Sequence, residues 1–389
     1  MARASRLNRP HGRTAKLSSV ADKGFPWGPG TATGIGSMPG GNPLETAQLI
    51  FDEVPDLPFL AELPVRGPGA DMIGRAAALL VDIAVEVTPG GWRIADHPGR
   101  DMRRARSMLS SDLDAMEEVL DGFQGPLKIQ LAGPWTLAAT IEQPHSQKVA
   151  LADPGLVADL ASSLAEGVKA HVAELAKRVP GATLLVQLDE PSLPAVADGG
   201  VPTPSGLSRV REVDEEVLRA KLREVLEATR AYTVVHCCAS GYPFEIINGA
   251  GADAVSFDLS LLGHGDYDTF AETVEGGSGL LIGALSVTGL GQDSARLSAR
   301  GPVGARPADE PSAGRRSDGE RTRPTPEGTA NAVRELWRRI GLPPAGCAEQ
   351  VVITPACGLA GVSPTQARDA LRWCREAARI LPELMAELA

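Results

Sequence analysis

The chain is short of cysteine, short of positive charge and without long apolar runs, and each shortage excludes something. Five cysteines among 389 residues, at positions 237, 238, 347, 357 and 374, are too few and too odd in number for a disulfide framework. They fit a reducing compartment, so a cytoplasmic protein is expected, and they leave thiols free for metal or catalysis. No apolar run approaches the roughly 20 residues that span a bilayer. Acidic residues outnumber basic ones by 49 to 38, a net charge of −11. That argues against nucleic acid or an anionic membrane as a general partner, while leaving room for a local basic pocket. Residues 1–19 are basic but lack the apolar stretch of a secretory signal.

Two segments have compositions that cannot bury a core. One is an N-terminal tail, residues 1–29. The other is a stretch rich in Gly, Ala, Arg, Pro, Ser and Asp, residues 291–326, read as a flexible insertion in the single domain 30–389. Between them lie eight short apolar runs: 31–36, 58–63, 127–132, 183–188, 233–238, 252–257, 280–285 and 350–354. Most are near-continuous rather than alternating, as strands of a parallel sheet covered on both faces are. Helical patterns separate them, at 70–87, 100–122, 154–179, 214–231, 326–340 and 364–388. Asp153-Pro154 and Ser363-Pro364 read as helix starts, a capping side chain followed by Pro at the first helical position. Eight strands interleaved with helices predict an α/β protein, a (β/α)8 TIM barrel, with a doubly wound sheet as the alternative.

In such a barrel the active site gathers at the C-terminal strand ends. Those ends carry Ser37, Glu62, Trp135, Asp189, His236, Cys238, Asp258 and Cys357. Polar and thiol groups thus collect where the apolar runs stop. The densest point is Val234-Val235-His236-Cys237-Cys238. Alternation along a strand puts His236 and Cys238 on one face and Cys237 on the other. An imidazole and a thiolate on one face suit zinc, and Asp258 and Cys357 offer further ligands from later strand ends. The competing reading is a hydrogen-bonded core histidine beside small buried thiols.

The other motifs are each open to two readings. Gly34-Ile35-Gly36-Ser37-Met38-Pro39 is not a dinucleotide fingerprint, because Pro39 stands where its third glycine belongs. It is a loop presenting amides to a substrate carboxylate, or a turn that needs glycine for its geometry. Gln187-Leu188-Asp189-Glu190-Pro191 puts two carboxylates at a strand end, where Asp189 binds an ammonium group or merely shapes a turn. Trp135 is a stacking surface or a core aromatic. His97, His145, His171 and His264 have no partner at ligand spacing, and Cys374 reads as helix packing.

Together these residues resemble the catalytic barrel of cobalamin-independent methionine synthase, in the uroporphyrinogen decarboxylase/methionine synthase superfamily. The resemblance runs from about Thr31 to the C-terminus. It rests on Ile35-Gly36-Ser37, Gln187-Leu188-Asp189-Glu190-Pro191, His236 with Cys238, the acid at 258, and Pro355-Ala356-Cys357-Gly358-Leu359. It implies a zinc-dependent methyltransferase that forms methionine from homocysteine. The implied zinc ligands are His236, Cys238, Asp258 and Cys357. Ser37 and Asp189 are the implied holders of the amino-acid head, with Asp189 also the implied catalytic residue, and Trp135 the implied folate contact. The chain departs from the family in having Asp rather than Glu at 258, and in having no room for the second, N-terminal barrel that helps bind polyglutamyl folate. Glu62 is the counterpart expected for the family's substrate-binding Glu. The implied donor is 5-methyltetrahydrofolate or, for a single-barrel form, a methylcorrinoid, which would make a corrinoid protein a partner. A tetrapyrrole-carboxylate decarboxylase on the same barrel is the alternative function. It would use an Arg cluster such as Arg66 and Arg75 and no metal.

Overall fold

The computed structural model describes residues 24–287 and 325–388. Most of the expected tail and of the expected insertion therefore lies outside the described residues. The remainder of the tail is packed: Trp27 is buried, stacks on Phe25, and donates its indole N–H to the Glu349 carbonyl at 3.1 Å.

An antiparallel hairpin comes first, β1 (Ala84–Thr88) and β2 (Gly91–Ala95). It falls partly where a helix over 70–87 was expected. The helix is only Met72–Leu79, begun by Asp71, whose carboxylate accepts from Gly74 N. Beyond it, Ile83, Val85 and Val87 recur every second residue, and that period belongs to a strand.

Six parallel strands follow: β3 (Gly125–Ala132), β4 (Ala182–Asp189), β5 (Tyr232–Cys237), β6 (Ala254–Asp258), β7 (Gly279–Leu285) and β8 (Val351–Pro355). They pair strictly in sequence order to form one curled sheet. Helices cross over between them, and the caps read from sequence are present. Asp153 accepts from Gly155 N and Leu156 N, and Ser363 and Gln366 form a reciprocal capping box.

The first two expected strands are not regular strands but extended segments tied by single bridges. Ala32 bridges Ile353 on β8, Ser37 bridges Glu62, and Phe59 bridges Lys128 on β3. Instead of eight regular strands, six form the sheet and two bridged segments continue it in a TIM-like curl. Residue type explains the difference. Gly34 and Gly36 pack no side chain, and Pro58 has no N–H to give a ladder. Gly36 is required where it stands, because a Cβ there would press on the Gln130 side chain.

Burial separates the two faces of the sheet. Trp27, Leu57, Leu185, Val234, Ala254, Leu281 and Val352 form a small cluster of their own on the inner face. Val235 and Cys237 belong to the larger core under the helices. His236 and Cys238 therefore share Val234's inner face, as alternation predicts, and Cys237 packs behind the sheet.

No helix among the described residues is long and apolar enough to cross a membrane.

The helices also contribute to pH sensitivity. His171, in the helix Pro154–Arg178, is buried, and burial, aided by Arg75 and Arg178, depresses its pKa to about 4. An unfolded His titrates near 6.5, so below that pH the unfolded chain takes a proton that the folded chain declines. Stability present above 6.5 is thus lost as pH falls toward 4, by about 3 kcal/mol from this residue. His171→Leu should remove that part of the acid dependence. Urea unfolding of both proteins at pH 7 and pH 4 measures it, and an unchanged slope refutes the assignment.

Candidate active site at the strand ends

The structure brings Cys238 and Cys357 together, with Sγ atoms 3.5 Å apart. One follows β5 and the other follows β8. Two thiolates on one tetrahedral zinc, each about 2.3 Å from the metal, lie about 3.8 Å apart, so this pair has nearly the required spacing. The neighbouring Cys238 thiol holds Cys357 down to about 7, against the pull of burial, while Cys238 itself is pushed up by Cys357 and by burial. The thiolate is the form a metal takes.

His236 is buried within the inner face of β5. Its Nδ1 lies 2.9 Å from Ser256 Oγ, directly across the β5–β6 register, and its Nε2 is buried without a partner. Burial, helped by Lys128, depresses the ring's pKa to about 3, so the imidazole is neutral. When Nδ1 carries the proton toward Ser256, Nε2 presents its lone pair, the arrangement metal-bound histidines have.

Asp258 is near enough for its charge to act on Cys357, but one of its oxygens is engaged locally. Its Oδ1 accepts from Ser260 N at 2.8 Å and Ser260 Oγ at 2.7 Å, capping the short turn Leu259–Leu261. Among the described residues, no cluster of three or more His, Cys, Asp or Glu side chains is arranged to hold a metal ion. The four expected ligands are therefore not preassembled. A thiol pair at the right separation and an orphaned ring nitrogen on the same inner face do match zinc's preference for sulfur and nitrogen donors.

Beside the thiols lies a buried polar layer. Asp189 ends β4, and Glu62 sits on the bridged segment opposite Ser37. Burial raises the pKa of both. Asp189 is pushed well above the usual carboxylate range, with Glu62 adding and Lys128 opposing, and Glu62 is raised against the pull of Arg75. Ser37 is half-buried, and its carbonyl accepts from Leu359 N at 2.7 Å. Gly358 packs so tightly on the Ser37 hydroxyl that a Cβ there would overlap it. The early and late motifs thus meet in space.

Trp135 takes its packing alternative. It has no exposed surface, and its indole N–H donates to the Leu218 carbonyl at 3.0 Å, so no face is left for a flat ligand. Arg66 and Arg75, which a decarboxylase would aim at substrate carboxylates, are both bound to Asp112.

Sequence reasoning passed over Lys128 and Gln130 and gave Gln187 and Glu190 no role of their own; all four are buried. Lys128 and Gln130 occupy alternate positions of β3, and Gln187 and Asp189 alternate positions of β4. A polar residue at every second place in an apolar run was the signal. Glu190 accepts from Trp135 N at 2.9 Å and from Thr136 N and Oγ1, both at 2.7 Å. Two roomy clefts, of about 880 and 820 Å³, lie elsewhere, one against Lys148, Arg209 and Arg211 and the other at Ile83 and Ile94. Neither includes any of the expected site residues.

Residues 30–295 match the family described as "Cobalamin-independent synthase, Catalytic domain". Among solved structures, a B12-independent methionine synthase from Shewanella sp. W3-18-1 in complex with selenomethionine is similar at 15% identity and a TM-score of 0.45. The alignment covers 79% of this chain and 76% of that one. An uncharacterised protein is similar at 14% identity and a TM-score of 0.24, over 57% of this chain and 48% of that one. No curated protein matches the chain in sequence.

Proposed function

Because the chain belongs to the cobalamin-independent synthase catalytic-domain family, we propose that it methylates homocysteine to methionine at the strand-end site. The observation that carries this reading is the Cys238–Cys357 pair, 3.5 Å apart on the inner face that also holds the unpartnered Nε2 of His236.

His236, Cys238 and Cys357 would hold zinc, with Asp258, whose Oδ1 is engaged by Ser260, as the expected fourth ligand. A metal held there would supply a lower pKa for a substrate thiol, which would then be present as the thiolate at neutral pH. The chain's own residues do the rest. Asp189 and Glu62 take the ammonium group of the amino acid, which favours their ionised forms against the burial that opposes them. The Ser37 loop faces the other end of the head group. With the head fixed, the sulfur is oriented toward the donor, and attack on an electrophilic methyl becomes effectively unimolecular. The methyl carbon leaves the donor with its bonding pair left behind, and sulfur supplies the new pair. The donor is 5-methyltetrahydrofolate or a methylcorrinoid.

Homocysteine offered with methyltetrahydrofolate, and separately with methylcobalamin, should yield methionine with one of the two. A chelator should abolish the yield and zinc restore it. No methionine with either donor from zinc-loaded protein would falsify the reading.

A further inference from the structure

Lys128 has no exposed surface, yet it lies in the middle of β3 on the inner face. A buried ammonium is tolerated only where charge and hydrogen bonds compensate it. Its Nζ donates to the Ile35 carbonyl at 2.8 Å and lies 3.4 Å from Gln130 Oε1, with the Phe59 ring centroid at 5.4 Å. Each polar contact leads to one carboxyl of the head-group pocket. Gln130 Nε2 lies 3.3 Å from Glu62 Oε1. Gln187 Nε2 shares the Ile35 carbonyl at 3.0 Å and donates to Asp189 Oδ1 at 2.7 Å. One cation is thus wired through one glutamine to Glu62 and through a second glutamine to Asp189.

The charges beyond this pair are closed off. Arg75 Nε approaches Glu62 Oε1 at 3.7 Å, and Arg75 and Arg66 both bind Asp112. Formal positive charges are Lys128, Arg75 and Arg66. Formal negative charges are Glu62, Asp189 and Asp112. With every group ionised, three stand against three, so the ionised pocket carries no surplus of either sign.

On the reading that this pocket takes the amino-acid head, we propose that Lys128 is a positioning residue that makes it selective for a zwitterion. An ammonium alone would find its carboxylate partners already compensated and would leave one positive charge unpaired. A carboxylate alone would leave one negative charge unpaired. An amino acid brings both and keeps the balance. Without Lys128 the pocket holds one uncompensated carboxylate, and a simple amine satisfies it.

The test is calorimetric titration of the purified full chain with L-methionine, with its descarboxy amine and with its desamino acid. The thioether ligands need no thiolate chemistry. Wild type should bind methionine on the order of tenfold or more tighter than either analogue, since an unpaired charge in such a pocket is strongly disfavoured. Lys128→Met should bring the methionine-to-amine ratio close to one, and Lys128→Arg, which keeps the charge, should retain the wild-type ratio. A ratio unchanged in Lys128→Met, or both ligands weakened alike, overturns the role of Lys128 and leaves the functional reading standing. If Lys128→Met does not fold, as judged by its melting midpoint, the wild-type ratio decides. An amine bound as tightly as methionine sinks the proposal. Wild type that binds neither methionine nor homocysteine overturns the head-group reading itself and this inference with it.

Discussion

Cys238→Ala should lower methyl transfer on the order of a thousandfold and leave the purified protein without stoichiometric zinc. A metal-held thiolate contributes several kcal/mol of transition-state stabilisation, and each 1.36 kcal/mol is about tenfold in rate. Cys357→Ala should do the same, because the two thiols lie within 3.5 Å of each other and would serve one metal. The double variant should be little worse than either single one, since groups that act as a unit are not additive. Cys237→Ala is the control. Its thiol is buried in the core behind the sheet, so activity should stay within about threefold while stability falls by about 1 kcal/mol for the small cavity. Metal analysis together with single-turnover rates checks all four. Full zinc occupancy and wild-type turnover in Cys238→Ala would remove the basis of the assignment.

Glu190→Ala should cost about 4 kcal/mol of stability. The wild-type carboxylate, fully buried, receives the amides of Trp135 and Thr136 and the Thr136 hydroxyl. It does the work of a cap for the helix Pro134–Thr140, because Gly133 offers no side chain. Gly133 must be glycine, since a Cβ there would overlap the Glu190 carboxylate. Truncation leaves three buried donors unsatisfied, each worth about 1–3 kcal/mol. Glu190→Gln retains an acceptor and should lose less than half as much. Equilibrium denaturation of the three proteins measures this, and a loss below about 1 kcal/mol for the alanine variant would mean that other groups or water satisfy the donors. Glu190 N also donates to the His236 carbonyl at 2.7 Å. That backbone bond survives the substitution, so the loosening should fall on the β3–β4 connection.

The sheet was legible because six apolar runs are long enough, and branched enough, to be covered on both faces. The first two runs were read with the rest, but the glycines of the first and Pro58 of the second prevent a continuous ladder. The hairpin at Ala84–Ala95 was hidden by alanines at 76–78, which suit a helix and masked the change of period after Leu80. Within the site, alternation alone separated Cys238 from Cys237, because side-chain direction in a strand is fixed by position. The Cys238–Cys357 contact is a tertiary fact that spacing cannot supply. Asp258 shows a further limit: residue type marks it as a possible ligand, but only the local backbone reveals that Ser260 holds its carboxylate. Trp135 was ambiguous for the same reason, since burial of a residue after a strand depends on the helix that packs over it, here through Leu218. Lys128 and Gln130 were overlooked, and Gln187 left without a role, because the runs that contain them were read for what is apolar rather than for which face the polar exceptions occupy.

The ties between the two ends of the chain bear on how the molecule comes apart. Trp27 holds Glu349 across 322 residues of sequence, Thr31 and Thr33 pair with Ile353, and Ser37 accepts from Leu359. Local opening follows contiguous cooperative units in space rather than in sequence. The first segment and β8 form one such unit, so a fluctuation that frees Cys357 also frees Ser37. The thiol end and the head-group end of the site are lost or kept together. Hydrogen exchange at Thr33 and Ile353 should accordingly report a single opening event, with the first segment and β8 sharing one protection level.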